Sequence, residues 1–146
     1  MLKVSILGRT RLWREGWELD LGPAGRRAVF GLLVLAGGRP LARHELVDAL
    51  WGEQIPSSAT NVLQTHVKHL RRTLEPQRPS RMRSELLPAV GDGYALSLGD
   101  AEVDVERFRG LGREAADAAS LGEPERVAAL LGEALRLWEG PPPRRR

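Results

Sequence analysis

The segment "TNVLQTHVKHLRRTL", residues 60–74, constrains this chain more than any other. With Ala59 before it, apolar residues recur at Leu63, Val67, Leu70 and Leu74, a spacing of three and four. On a helix turning about 100° per residue they fall within about 40° of one line, so the segment reads as an amphipathic helix with one buried stripe. Opposite that stripe lie Asn61, Thr65, Lys68 and Arg72, flanked by Gln64 and Arg71 on one side and His69 on the other. The polar face carries no carboxylate, whereas an ordinary surface helix mixes acids and bases.

The rest of the chain supplies the setting. "KVSILG" puts Val4 and Ile6 on one strand face, and "RLWREGWELDL" reads as two short strands around Glu15-Gly16, offering Leu12, Trp17, Leu19 and Leu21 to a core. "GPAG" is punctuation. Residues 26–36 are apolar on nearly all sides, which predicts a buried helix. Gly31 costs that helix about 1 kcal/mol against Ala, which suggests close packing there. A second helix, "RHELVDALW", turns Leu46, Val47, Leu50 and Trp51 inward, and "GEQIP" is a loop. Ser57 or Ser58 caps the third helix, and Pro76 ends it.

After a basic loop, "PQRPSRMRS", the runs "ELLPAV" and "YALSL" flank "GDG", a hairpin signal. From residue 104 two helices follow, with apolar residues at 105, 108, 111, 115 and at 127, 130, 131, 134, 138. Gly122-Glu123-Pro124 divides them, and the tail "GPPPRRR" is not helical. The fold class expected is α+β: an N-terminal antiparallel sheet, three helices and a hairpin, the layout of a winged helix-turn-helix, and then a helical pair. The boundaries expected are 1–99 and 104–140.

Charge follows the same division. The net charge is only +3. Residues 1–99 hold 14 Lys/Arg against 9 Asp/Glu, and residues 100–139 hold 5 against 10. Residues 61–83 carry six bases (Lys68, Arg71, Arg72, Arg78, Arg81, Arg83) and one acid, Glu75. Such a local surplus suits a polyanion, although a solvated basic face would look alike. Asn and Gln can pair bidentately with adenine, Arg and Lys with guanine, and the Thr methyl can meet that of thymine. The face of the third helix thus has the chemistry of a duplex major groove, and its place before a hairpin strengthens that reading. A protein-binding scaffold that uses the basic face for an acidic partner is the alternative. Salt separates the two, because duplex binding that releases counterions weakens steeply as salt rises.

Other classes fare worse. No cysteine is present, which excludes disulfides and thiolate metal sites. His66 and His69 stand three apart without a third ligand nearby, a poor metal site. His66 is better read as a boundary histidine with a satisfied ring. Trp51 and Trp138 end apolar helix faces and read as core, while Trp13 and Trp17 belong to a strand pair. There is no P-loop pattern and no GxSxG, so no catalysis and no cofactor are expected. "MLKVSILG" is too short an apolar run for a signal peptide, and nothing approaches the roughly 20 apolar residues of a membrane span. A cytoplasmic protein is expected.

"RRAVFGLLVLAGGRPLARHELVDALWG", "NVLQTHVKHLRRTL" and "GDGYALSL" together resemble the Streptomyces antibiotic regulatory protein family. Residues 104–141 resemble the start of that family's bacterial transcriptional activator domain, an all-α TPR-like unit of which this chain holds two helices. The resemblance implies an OmpR-type winged helix that activates transcription of antibiotic biosynthesis clusters from direct-repeat operators. Two copies would sit side by side on double-stranded DNA and recruit RNA polymerase holoenzyme. Asn61, Gln64, Thr65, Lys68, Arg71 and Arg72 would face DNA, and the loop Gly52, Glu53, Gln54, Ile55 would face polymerase. The hairpin turn "AVGDGY" has Asp92 where the family often has Arg, so Arg78, Arg81 and Arg83 would supply the charge there. Ala42 stands where the family places a capping Ser or Thr. On that resemblance, the chain is expected to be an excised piece or a short form of such a regulator.

Overall fold

The computed structural model describes residues 1–139. Strands β1 (Leu2–Ser5), β2 (Arg11–Arg14) and β3 (Trp17–Leu19) form an antiparallel meander. The β2–β3 turn places Glu15 at φ 50 and Gly16 at φ 84. Both central residues are left-handed, as the hairpin turn that matches strand twist requires. Helices α1 (Ala24–Leu35), α2 (Arg43–Trp51) and α3 (Ala59–Leu74) follow, then a hairpin of β4 (Ala89–Val90) and β5 (Gly93–Tyr94). Strand β6 (Glu102–Val103) leads into the helical pair α4 (Asp104–Ser120) and α5 (Pro124–Glu139).

The core joins all the N-terminal elements. Val4 and Leu12 of the sheet, Phe30 and Leu33 of α1, Leu46 of α2, Leu63 and Leu70 of α3, and Leu87 before the hairpin are essentially fully buried. The hairpin is longer than β4 and β5 alone. Ala95 N–H donates to the Pro88 carbonyl and Ser97 N–H to that of Leu86. Leu41 adds a third line of pairing: it donates to Tyr94 O at 2.8 Å and accepts from Tyr94 N at 3.0 Å.

Several expectations change. The N-terminal sheet is mixed rather than antiparallel: its order is β3-β2-β1-β6, with β6 parallel to β1. A two-residue strand carries no periodicity to reveal it. Asp104, at the start of α4, reinforces this junction. It accepts hydrogen bonds from Ser5 Oγ (2.9 Å), Ile6 N (2.9 Å) and Leu7 N (3.1 Å). Gly31 is not closely packed, since a Cβ there would meet only Thr10 Oγ1 at 3.6 Å, an ordinary contact. Ser58 is the N-cap of α3, but its side chain makes no capping hydrogen bond. Ala42 is the N-cap of α2, and only half of a capping arrangement survives, with Glu45 Oε1 accepting the Ala42 N–H at 2.9 Å.

The aromatic expectations divide. Trp51 is half-buried against the core. Trp17 is not core: it is 78% exposed at the β2–β3 tip. Its cross-strand neighbour Arg14 reaches α3 instead, donating to Thr73 O at 3.1 Å and Leu74 O at 2.5 Å. Arg14 therefore satisfies helix-end carbonyls that have no partner inside α3, and Trp17 lies beyond that contact. Trp138 is also exposed, at 56%, touching Phe108 with ring centroids 5.9 Å apart. In α5, Ala134 is buried and Leu137 packs on the core, while Leu131 is exposed. The inward face is thus rotated from the line through Leu131 and Trp138. Leu35 leaves α1 partly exposed, so α1 is not buried all round.

Candidate nucleic-acid interface

The periodicity of α3 places its chemistry. Ala59, Leu63, Val67, Leu70 and Leu74 are buried. Asn61, Gln64, Thr65, Lys68 and Arg72 are exposed, and His69 and Arg71 are half-buried at the margins. Thr65 Oγ1 donates to Asn61 O at 2.9 Å, so its methyl group is the part not engaged by that bond. The exposed side of α3 itself bears no acid among these residues.

One margin of that face is built by the loop and hairpin. Arg71 Nε donates to Leu87 O at 2.9 Å, and its guanidinium lies 5.6 Å over the Tyr94 ring. Burial lowers the Arg71 pKa. Arg71 therefore ties α3 to the hairpin, a use of the side chain that charge counting does not show. Arg78 is likewise committed: it donates to Met82 O and lies 3.8 Å from Glu75. Arg81 and Arg83 are exposed and make no ion pair among the described residues. Lys68, Arg72, Arg78, Arg83, Ser84 and Ala89 line a groove of about 1010 Å³ between α3 and this loop.

Glu75 explains why one acid is kept in so basic a segment. Its carboxylate accepts from Ser84 Oγ and from Glu85 N at 3.0 Å, which fastens the segment between the loop and the hairpin to the end of α3. Burial alone would push this carboxyl up. The hydrogen bonds from Ser84, Glu85 and Leu86, with Arg78 nearby, outweigh that and hold it below its ordinary value. A depressed folded pKa means that the contribution is fully present above the unfolded carboxyl value, about 4.3, and is lost as pH falls through the folded value. Glu75→Gln should cost about 1–2 kcal/mol at pH 7. In thermal melts, the gap from the parent should narrow below about pH 4. A gap of constant size across that range would mean that the charge of Glu75 contributes nothing.

The hairpin tip carries Gly91 at φ 60 followed by Asp92, with no base. Gly93 is needed for a different reason from turn formation. A Cβ there would collide with the Leu41 carbonyl oxygen and lie 2.7 Å from Ala42 Cα. At the other end of α3, Gly52, Glu53, Gln54 and Ile55 are all exposed. Gly52, at φ 62, ends α2 by donating to Asp48 O at 2.8 Å. Glu53 has no hydrogen bond or ion pair among the described residues.

His66 is a boundary residue, but its ring is not fully satisfied. Nδ1 is buried without a hydrogen-bond partner among the described residues. The ring packs on Gly25, where a Cβ would stand 3.0 Å from Nε2. Sequence reasoning also missed Arg14, Gly93 and Asp104; only the glycine before Tyr94 had a visible signal, as part of the hairpin motif. Among the described residues no group of three or more His, Asp or Glu side chains is placed to hold a metal. None of the described helices is long and apolar enough to cross a membrane.

Residues 16–96 match the family described as "Transcriptional regulatory protein, C terminal", and residues 103–145 match the "Bacterial transcriptional activator domain". Over 95% of its length the chain is 36% identical to the regulatory protein AfsR of Streptomyces coelicolor. Over 96% it is 34% identical to the transcriptional regulator RedD of the same organism. It spans 13% and 40% of those two proteins. The solved structure of Mycobacterium tuberculosis EmbR in complex with a low affinity phosphopeptide superposes over 96% of this chain and 36% of that one, with TM-score 0.79 and 31% identity. The winged-helix fold, the matched domain pair and these relatives converge: the chain belongs to the Streptomyces antibiotic regulatory protein family of transcriptional regulators.

Proposed function

We propose that this chain is the DNA-reading part of a transcriptional activator of an antibiotic or other secondary-metabolite cluster. The observation that carries the reading is the exposed, acid-free side of α3 beside a basic loop and hairpin. Asn61, Gln64, Thr65, Lys68 and Arg72 read bases in the major groove; Arg81 and Arg83 hold phosphates. Arg71 and Arg78 shape the margin and add charge to it. Residues 1–99 form the DNA-binding unit, and 104–140 begin the activator unit, with residue 140 outside the described ones. The operator is a direct repeat occupied by two copies side by side, and the protein works in the cytoplasm, on the nucleoid, without a cofactor and without catalysis.

Recruitment of RNA polymerase falls to the loop Gly52, Glu53, Gln54, Ile55. Glu53 is poorly placed for a polyanion and suits a basic protein surface. Glu53→Lys should leave operator affinity unchanged or slightly stronger, because it removes a negative charge near DNA. Transcription from the cognate promoter with purified polymerase should nonetheless fall, measured with the residue changed in a full-length regulator. Unchanged transcription would reduce the loop to a connector. The competing reading, a scaffold for an acidic protein, predicts no duplex sequence preference and no slope set by counterion release.

A further inference from the structure

The face of the N-terminal sheet turned away from the core carries one row of side chains across four strands. Glu18 of β3 stands beside Trp13 of β2, Trp13 beside Lys3 of β1, and Lys3 beside Glu102 of β6. Val4 and Leu12, next along β1 and β2, point the other way and are buried, as strand alternation requires. Trp13 is nevertheless half-buried, with Lys3 Nζ 5.6 Å and the Arg11 guanidinium 4.9 Å from its ring centroid. Where this row meets the helical pair, a groove of about 520 Å³ opens. Lys3 and Trp13 line it from the sheet, Arg107 from α4, and Arg136 and Leu137 from α5. Its volume is that of a small-molecule site.

Two acids also reach the groove, Glu102 and Asp104, and both are committed. The two Asp104 oxygens accept from Ser5, Ile6 and Leu7. Glu102 lies 3.7 Å from Lys3 Nζ. Arg107 Nη2 donates to Glu133 of α5 at 2.5 Å. Glu133 is one turn before Arg136 on the same side of that helix, which brings both guanidinium groups to one end of the groove. Arg136 itself makes no hydrogen bond or ion pair among the described residues. The groove therefore sets an indole wall and Leu137 beside a guanidinium that has no counter-ion.

We propose that this groove binds a small amphipathic anion, a compact ring system bearing one carboxylate. The ring lies against Trp13 and Leu137, and the carboxylate meets Arg136, with the free edge of Arg107 beside it. A planar guanidinium can hold both oxygens of a carboxylate at once. A multiply charged ligand such as a nucleotide fits less well, because Glu102 and Asp104 line the same groove and repel further negative charge. A ligand seated in this way touches β1 and β2 on one side and α5 on the other, so it bridges the sheet and the helical pair. No residue of α3 takes part. The site stands apart from the duplex-reading proposal, and its test needs no DNA.

The probe is indole-3-acetate, with indole-3-acetamide as its neutral counterpart, followed by NMR on the labelled protein. Indole-3-acetate should shift the Trp13 indole N–H and the Leu137 methyl signals and saturate with a Kd on the order of 1 mM. The acetamide should bind about five-fold more weakly or worse. Arg136→Gln, at an exposed position, should weaken the acetate about five-fold and leave the acetamide unchanged. Arg126→Gln, exposed on the same helix but outside the groove, should bind the acetate like the parent. Absence of a saturable shift at Trp13 overturns the proposal. So do equal affinities for the two probes, or equal behaviour of Arg136→Gln and Arg126→Gln. Shifts confined to Trp138, whose ring is exposed on α5, would place the probe on that surface instead and overturn it as well.

Discussion

Gly93→Ala should destabilise the protein by about 3 kcal/mol and lower its melting temperature by roughly 10 °C. The cause is steric and local. A single methyl group at residue 93 would be driven into the Leu41 carbonyl and towards Ala42 Cα, both of which are backbone. No side chain is present to rotate away. The two hydrogen bonds between Leu41 and Tyr94 would have to open, and with them the line that pins the hairpin to the start of α2. Tyr94 lies under the Arg71 guanidinium, so the margin of α3 would loosen too. Thermal melts of parent and variant decide this. A melting temperature within a degree or two of the parent would mean that Leu41 and the hairpin move apart at little cost.

Asp104→Ala comes next, at about 2–4 kcal/mol. The carboxylate serves three donors on the far side of the chain, two of them the backbone N–H groups of Ile6 and Leu7. Removing it leaves part-buried donors unpaired, which costs more than the loss of an exposed contact. It also removes an acid from the first turn of α4, where a negative charge is favourable. Asp104→Asn keeps one acceptor oxygen and should recover part of the loss. Denaturant titration should show the lower midpoint, and amide exchange at Ile6 and Leu7 should accelerate. Unchanged exchange at those two amides would show that the sheet end closes without Asp104.

The contrast between α3 and these two sites shows where sequence reading reaches its limit. The buried line Ala59, Leu63, Val67, Leu70, Leu74 and the exposed face opposite it follow from helix geometry alone, because both are set by 3.6-residue periodicity. The Glu15-Gly16 turn was legible for a similar reason: a local conformation demands particular residues. Asp104 was not, since its partners lie 97 to 99 residues away and no pattern within α4 points to them. Arg71 shows a subtler limit. Its position on the helix predicts exposure to a ligand, but the side chain turns along the helix side and bonds Leu87 O. Long side chains have reach, and periodicity fixes only where they begin. Trp17 and Trp138 misled in the opposite direction. Hydrophobic residues at strand or helix ends can lie past the edge of the core, and only the arrangement of neighbouring elements shows where that edge falls.

The central claim is that the exposed side of α3 reads base sequence. The direct measurement selects duplexes bound by the parent from a random pool, then compares affinities for the selected duplex. Single alanine substitutions at Asn61, Thr65, Lys68 and Arg72 are made, and each is confirmed to melt like the parent. A residue that reads a base should cost about 1–3 kcal/mol and relax the preference at particular base pairs. Replacing Arg81 or Arg83 should instead weaken all sequences alike and lower the salt slope by about one unit. If the pool yields no preferred sequence, or if all four variants bind the selected duplex like the parent, α3 does not read DNA.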